Sequence, residues 1–163
     1  MTVPPVRLNH AVLFVTDLDR SHTFYTDLFA METVTRDDGT RTAFLRLPGS
    51  SNHHDLGLFE VETPDAHQQN VVGLYHLAWQ VDTVDELAGF REHLVQRGRF
   101  AGESDHGATL SVYGSDPDGN DFEIMWMLPR AHWGEFADTA PSNRLDLASH
   151  LSHWSGVRTA AEL

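Results

Sequence analysis

Two histidines 66 residues apart, His10 and His76, occupy matching settings, Leu-Asn-His-Ala and Leu-Tyr-His-Leu, and a glutamate, Glu123, stands inside the apolar run Phe122 to Leu128. Two neutral imidazoles and one carboxylate are a ligand set for a divalent metal that leaves coordination positions open to exogenous molecules. A carboxylate among apolar neighbours is costly to bury unpaired, so Glu123 needs a cation or a donor close by. The chain has no cysteine, which excludes disulfides and thiolate ligands and restricts a metal to His, Asp, Glu or backbone oxygen. A single strand histidine is usually a hydrogen-bonded core residue. Repetition is what sets His10 and His76 apart, whereas His22, His67, His93, His132, His150 and His153 read as solvated surface residues.

The repetition extends well beyond the histidines. LNHAVLFVTDLDRSHTFYTDLFAM aligns with LYHLAWQVDTVDELAGFREHLVQRG, superposing Val15 on Val81, Leu18 on Val84, Phe24 on Phe90 and Leu28 on Leu94 at the same offset of 66. Each copy opens with a strand-like stretch, with Leu8, His10, Val12 and Phe14 on one face and Leu74, His76 and Ala78 on the equivalent face. A helix start follows: Asp17 in the first copy, and Thr83 with Glu86 as a capping box in the second. Leu18, Phe24 and Leu28, and likewise Leu87, Phe90 and Leu94, mark the helix faces that cover a sheet, and Gly98 supplies a stop. Three strand-like runs follow each helix, the last two of the second copy being joined by the turn Asp116-Pro117-Asp118-Gly119.

These elements predict an α+β chain of two tandem βαβββ modules, residues 6–63 and 71–128, forming a curled mixed sheet around the metal site. The stretch 62–73 reads as the linker loop. Residues 129–163 form a C-terminal helical extension in which Leu145, Leu147, Ala148, Leu151 and Trp154 define an amphipathic helix approached through Trp133 and Phe136. That tail suits either a cap over the site or packing against a second subunit.

With 163 residues, 40% hydrophobic and 21% charged, the chain has the composition of a globular protein. A formal charge of -13 with only 11 Lys and Arg argues against a nucleic-acid partner. No apolar run reaches the roughly 20 residues of a membrane span, and the first residues lack a signal-peptide pattern. The expectation is a cytoplasmic protein with no membrane partner.

Residues 6 to 128 resemble the vicinal-oxygen-chelate superfamily of glyoxalases, epimerases, extradiol dioxygenases and drug-sequestering resistance proteins. LNHAVLFVTDLDRSHTFYTDLF and LYHLAWQV are similar across the superfamily, while HHDLGLF and DHGATLSVYGSDPDGNDFEIMW resemble the small extradiol catechol dioxygenases. The resemblance implies Fe(II), with Mn(II) or another divalent metal as a substitute, held by His10, His76 and Glu123. It implies an aromatic diol and O2 as substrates, His54 as the acid-base histidine, Tyr113 as a substrate-contacting tyrosine, His106 near the substrate, and a homodimer. Simple strand alternation would send His54 and Gly57 to opposite faces, so an irregular strand start is expected there.

Position 57, the repeat equivalent of Glu123, is where glyoxalase-like members supply a fourth ligand, and here it is glycine. Three protein ligands favour a dioxygenase. Two alternatives stay open: a metal-dependent isomerase or lyase, which needs a base carboxylate such as Glu60, and a non-catalytic small-molecule-binding resistance protein. Each of Trp79, Trp126, Phe59 and Met125 reads first as plain core and second as a wall of an apolar pocket.

Overall fold

A computed structural model describes residues 5, 7–62 and 72–160. Most of the expected linker loop, and His67 within it, lies outside the described residues. The chain divides into two compact units, Met1–Gln68 and Gln69–Leu163, so the C-terminal extension belongs to the second.

In the first unit the order is β1 (Ala11–Val15), α1 (Leu18–Phe29), β2 (Glu32–Asp37), β3 (Thr42–Arg46) and β4 (Leu56–Glu60). The second repeats it with β5 (Leu77–Gln80), α2 (Val84–Gln96), β6 (Phe100–Asp105), β7 (Thr109–Ser115) and β8 (Asp121–Met127), then adds α3 (Leu147–Trp154). Each unit holds one four-stranded mixed sheet, ordered β1-β4-β3-β2 and β5-β8-β7-β6. The first strand pairs parallel with the last in both, and the remaining ladders are antiparallel. The α+β class and the βαβββ order therefore stand. Both histidines lie one residue ahead of the strands that they were expected to open.

The helix starts are those the sequence signals. Asp17 accepts from the Arg20 N–H at 3.0 Å, while Thr83 and Glu86 complete a reciprocal capping box, each satisfying amides that have no intrahelical partner. After α2 the backbone turns left-handed at Gly98, φ 63°. Alternation then sorts each sheet. Leu13, Val15, Ala43, Leu45, Leu56 and Leu58 are buried in the first unit, and Leu110, Val112, Phe122, Ile124 and Trp126 in the second. The intervening residues, including Val12, Gly57, Tyr113, Ala78 and Glu123, take the other face. Trp126 is fully buried with its indole N–H on the Asp82 carbonyl, and Trp79 pairs in register with Ile124. Both tryptophans therefore belong to the core face, the first of the two readings open to them.

The extension continues the second unit. Two short helical turns, Arg130–His132 and Gly134–Asp138, lead to Asn143, which bridges Asp105 at the end of β6. Beyond α3, Asp82 accepts from the amides of Thr159 at 3.0 Å and Ala160 at 2.8 Å and pairs with Arg158 at 2.6 Å. Among the described residues no helix is long and apolar enough to cross a membrane.

The Ala160 amide, with help from Arg158 and Thr159, holds the Asp82 carboxyl below the usual carboxylate range. A lowered folded pKa means that the clamp contributes fully above the ordinary Asp value of about 4 and weakens as pH falls through the folded value. Asp82→Asn should speed hydrogen exchange of the Ala160 amide at neutral pH and flatten the acid side of the stability profile. Unchanged exchange would show that the carboxylate does not hold the terminus.

Candidate metal centre and its cavity

The second unit assembles four of the six candidate residues. The β5–β8 and β7–β8 registers place Ala78 and Tyr113 on either side of Glu123, and His76, just ahead of β5, turns its ring to the same carboxylate. His76 Nε2 lies 3.0 Å from Glu123 Oε2, the two side chains being 24% and 13% exposed. Tyr113 links onward, its hydroxyl 3.3 Å from Glu123 Oε1 and 2.8 Å from His106 Nε2. His106 Nδ1 in turn sits 2.6 Å from the Pro141 carbonyl. Burial, reinforced by the Glu123 charge, pushes the Tyr113 phenol up to about 12, so it is a proton donor throughout the neutral range.

These residues wall an open cavity of about 610 Å³ together with Ser142 and Asn143, a volume suited to a small organic ligand. Of the two roles open to the tail, its first part contributes to this wall. Met125 keeps the Glu123 side of β8 by alternation.

In the first unit the structure brings His10 and His54 together, with ring centroids 4.4 Å apart. His10 is exposed, and its Nδ1 is 2.9 Å from Asn9 Oδ1, an acceptor that places the ring proton on Nδ1 and leaves Nε2 as a lone pair. The irregular approach to β4 is what aims His54. Asp55 receives the Leu47 amide at 2.8 Å, the Ser50 hydroxyl at 2.9 Å and the Asn52 amide at 2.6 Å. The resulting turn carries His54 onto Phe44, 4.8 Å away, and so onto the face of His10, as the expected irregular start requires. Its Nδ1 contacts that of His53 at 3.0 Å. Burial, followed by the neighbouring His10 and His53, lowers the His54 pKa.

Ladder positions explain the missing carboxylate. Gly57 pairs with Val12 and Phe44 as Glu123 pairs with Ala78 and Tyr113. A Cβ on Gly57 would meet Val12 at 3.1 Å and Phe44 at 3.4 Å, so apolar side chains fill that position. Phe59, edge-on to Phe44 at 5.7 Å, extends the same surface. Glu60 is engaged elsewhere: it accepts from the Leu18 amide at 2.7 Å and from Arg41 at 2.6 Å.

The donors suit a divalent ion. His76 Nε2 and Glu123 Oε2 face each other across 3.0 Å, and an imidazole nitrogen beside a carboxylate oxygen is a donor pair that divalent first-row ions accept. His76 Nδ1 is buried and finds no hydrogen-bond partner among the described residues. Among the described residues no group of three or more His, Asp and Glu gathers as a ready metal cluster; His10 is described within its own unit.

Several contributors escape a sequence reading. Asn9 orients His10, Asp55 shapes the His54 turn and the Pro141 carbonyl meets His106. His150, read as a surface residue, reaches Asp105 at 3.2 Å. Only Asn9 had a signal, being a polar neighbour of a candidate ligand.

The sequence signature of the Glyoxalase/Bleomycin resistance protein/Dioxygenase superfamily matches residues 7–124. The chain belongs to this superfamily. Similar proteins include a catechol-2,3-dioxygenase of Bacillus subtilis, 31% identical over 77% of this chain and 43% of that protein. A manganese-dependent 2,3-dihydroxybiphenyl 1,2-dioxygenase of Geobacillus genomosp. 3 is 29% identical over 83% of this chain and 42% of its own length. A lactoylglutathione lyase of Neisseria meningitidis is 29% identical over 74% and 90%. The chain thus spans less than half of the two dioxygenases. Among solved structures, a glyoxylase/bleomycin resistance protein/dioxygenase domain from Frankia sp. EAN1pec matches 81% of this chain and 99% of its own at a TM-score of 0.68 and 25% identity.

The phenolate absorbance difference between the protein and its Tyr113→Phe variant should titrate near pH 12, and Glu123→Gln should move that transition down by removing the adjacent charge. A Tyr113 transition near the ordinary value of about 10 would contradict the described burial and pairing.

Proposed function

We propose that this chain is a metal-dependent extradiol dioxygenase that opens the ring of a small catechol-like diol with O2. His10, His76 and Glu123 hold the metal, and His54, Tyr113 and His106 serve the substrate. The observation that carries this reading is the linked array His76–Glu123–Tyr113–His106 on one cavity wall, combined with glycine at the Glu123 position of the first unit. The dioxygenase relatives support it.

Fe(II), or Mn(II) in its place, would supply Lewis acidity and a common binding point for diol and O2. The protein's own groups handle protons and orientation. A lowered pKa keeps His54 neutral near pH 7, so it can accept a diol proton and return it to the opened product. Nδ1 of His54 contacts His53, and Nε2 is the accepting atom in the tautomer where His54 Nδ1 donates to His53. Tyr113 stays protonated and sets its hydroxyl on the cavity wall beside His106 and Glu123. No arginine is among the described residues that line the cavity, which favours a diol without a carboxylate substituent.

The isomerase or lyase reading, to which the lactoylglutathione lyase points, needs a free base carboxylate. Gly57 supplies none, and Glu60 is bound to Arg41 and the start of α1. A non-catalytic binder needs no metal triad, so the His76–Glu123 pair favours the metal-dependent readings.

Anaerobic loading with Fe(II) or Mn(II) followed by a panel of neutral and carboxylated catechols tests the proposal. Ring-fission absorbance should appear with neutral diols, require the metal, and vanish in His10→Ala, His76→Ala and Glu123→Ala. His54→Ala should keep its metal yet lose about 10²–10⁴-fold in kcat. Metal uptake without diol-dependent oxygen consumption would overturn the dioxygenase reading.

A further inference from the structure

We infer that the segment Ala140 to Asn143 is a positioning strap: its Pro141 carbonyl fixes His106 as the Nδ1–H tautomer and so sets the direction of the Tyr113 proton. A carbonyl oxygen only accepts, so the 2.6 Å contact from His106 Nδ1 requires the proton on that nitrogen. In the neutral ring Nε2 is then a bare lone pair, 2.8 Å from the Tyr113 hydroxyl. The phenol has one proton, and this acceptor is nearer than Glu123 Oε1 at 3.3 Å. Tyr113 therefore turns its proton towards His106 and leaves Glu123 its full negative charge. The opposite tautomer would present an N–H to the phenol oxygen and send the Tyr113 proton to Glu123, weakening that carboxylate as a partner for a cation. The carbonyl of a tail residue thereby controls the Tyr113 phenol two hydrogen bonds away.

The strap is held from several sides. Asp105 and Asn143 exchange backbone hydrogen bonds of 3.0 and 2.9 Å, the hydroxyls of Ser104 and Ser142 lie 3.0 Å apart, and His150 contacts Asp105 at 3.2 Å. Upstream, the Phe136 ring occupies the space that a Cβ on Gly107 would need, where φ is 81°. The turn that carries His106 is therefore pinned from both ends of the strap, which also supplies Ala140, Ser142 and Asn143 to the cavity wall. The assignment holds whichever reaction the cavity serves, since it concerns ring protonation alone.

Nitrogen-15 spectra of the histidine rings in the full chain test it, with His106 identified by the signal lost in His106→Gln. At a pH where the ring is neutral, the wild-type spectrum should show His106 protonated at Nδ1 and bare at Nε2. Asn143→Pro, which deletes one of the two bridging amides, and the milder Ser104→Ala should shift the population towards the Nε2–H form, with Asn143→Pro the larger shift. His106 protonated at Nε2 in the wild type would overturn the proposal, whatever the variants do. So would an unaltered Nδ1–H signal in a folded Asn143→Pro chain, because the tautomer would then be independent of the strap.

Discussion

A carboxylate set on a sheet face and largely withdrawn from water is the constraint on which the second unit is built. Glu123 is only 13% exposed on its side chain, and an ionised group in that position is tolerable only when paired. The parallel β5–β8 ladder delivers His76, at its open end, to the carboxylate, while the antiparallel β7–β8 ladder and the turn after β6 set the Tyr113–His106 pair beside it. The buried faces of the same strands, Phe122, Ile124 and Leu110 among them, anchor those registers against slipping, because a one-residue shift would exchange core and cavity faces.

The first unit shows what the same topology becomes without that charge. Gly57 stands where Glu123 stands, Phe44 where Tyr113 stands and Val12 where Ala78 stands. Apolar packing replaces the polar array, and the chemistry that remains, His10 beside His54, gathers at the edge where β1 and β4 begin. Two copies of one fold have thus come to carry different loads: a charged array on one sheet, and an imidazole pair beside an apolar surface on the other.

Much of this was legible in the sequence because it rests on local rules. Caps at Asp17 and Thr83, the stop at Gly98, and strand alternation around Leu13 or Ile124 each follow from residue type and spacing, and the repeat offset identified His10 and His76 together. What was not legible depends on backbone atoms or on distant partners. Pro141 acts through its carbonyl, which any residue possesses. His150 finds Asp105 only because α3 follows a bridge to β6. Aromatic character leaves Trp79 and Trp126 open to core or pocket wall, and strand parity places both on the core face. His54 required a departure from alternation, and the cause of that departure, the Asp55 turn, carries no sequence mark distinguishing it from an ordinary polar loop.

The central claim, that His10, His76 and Glu123 hold one divalent ion, is tested most directly by anomalous diffraction from crystals loaded anaerobically with Mn(II). The account predicts one anomalous peak per chain within bonding distance, about 2.0–2.3 Å, of an imidazole nitrogen from each histidine and an oxygen of Glu123. No peak at His76 and Glu123, or an ion there that His10 does not reach, would contradict it.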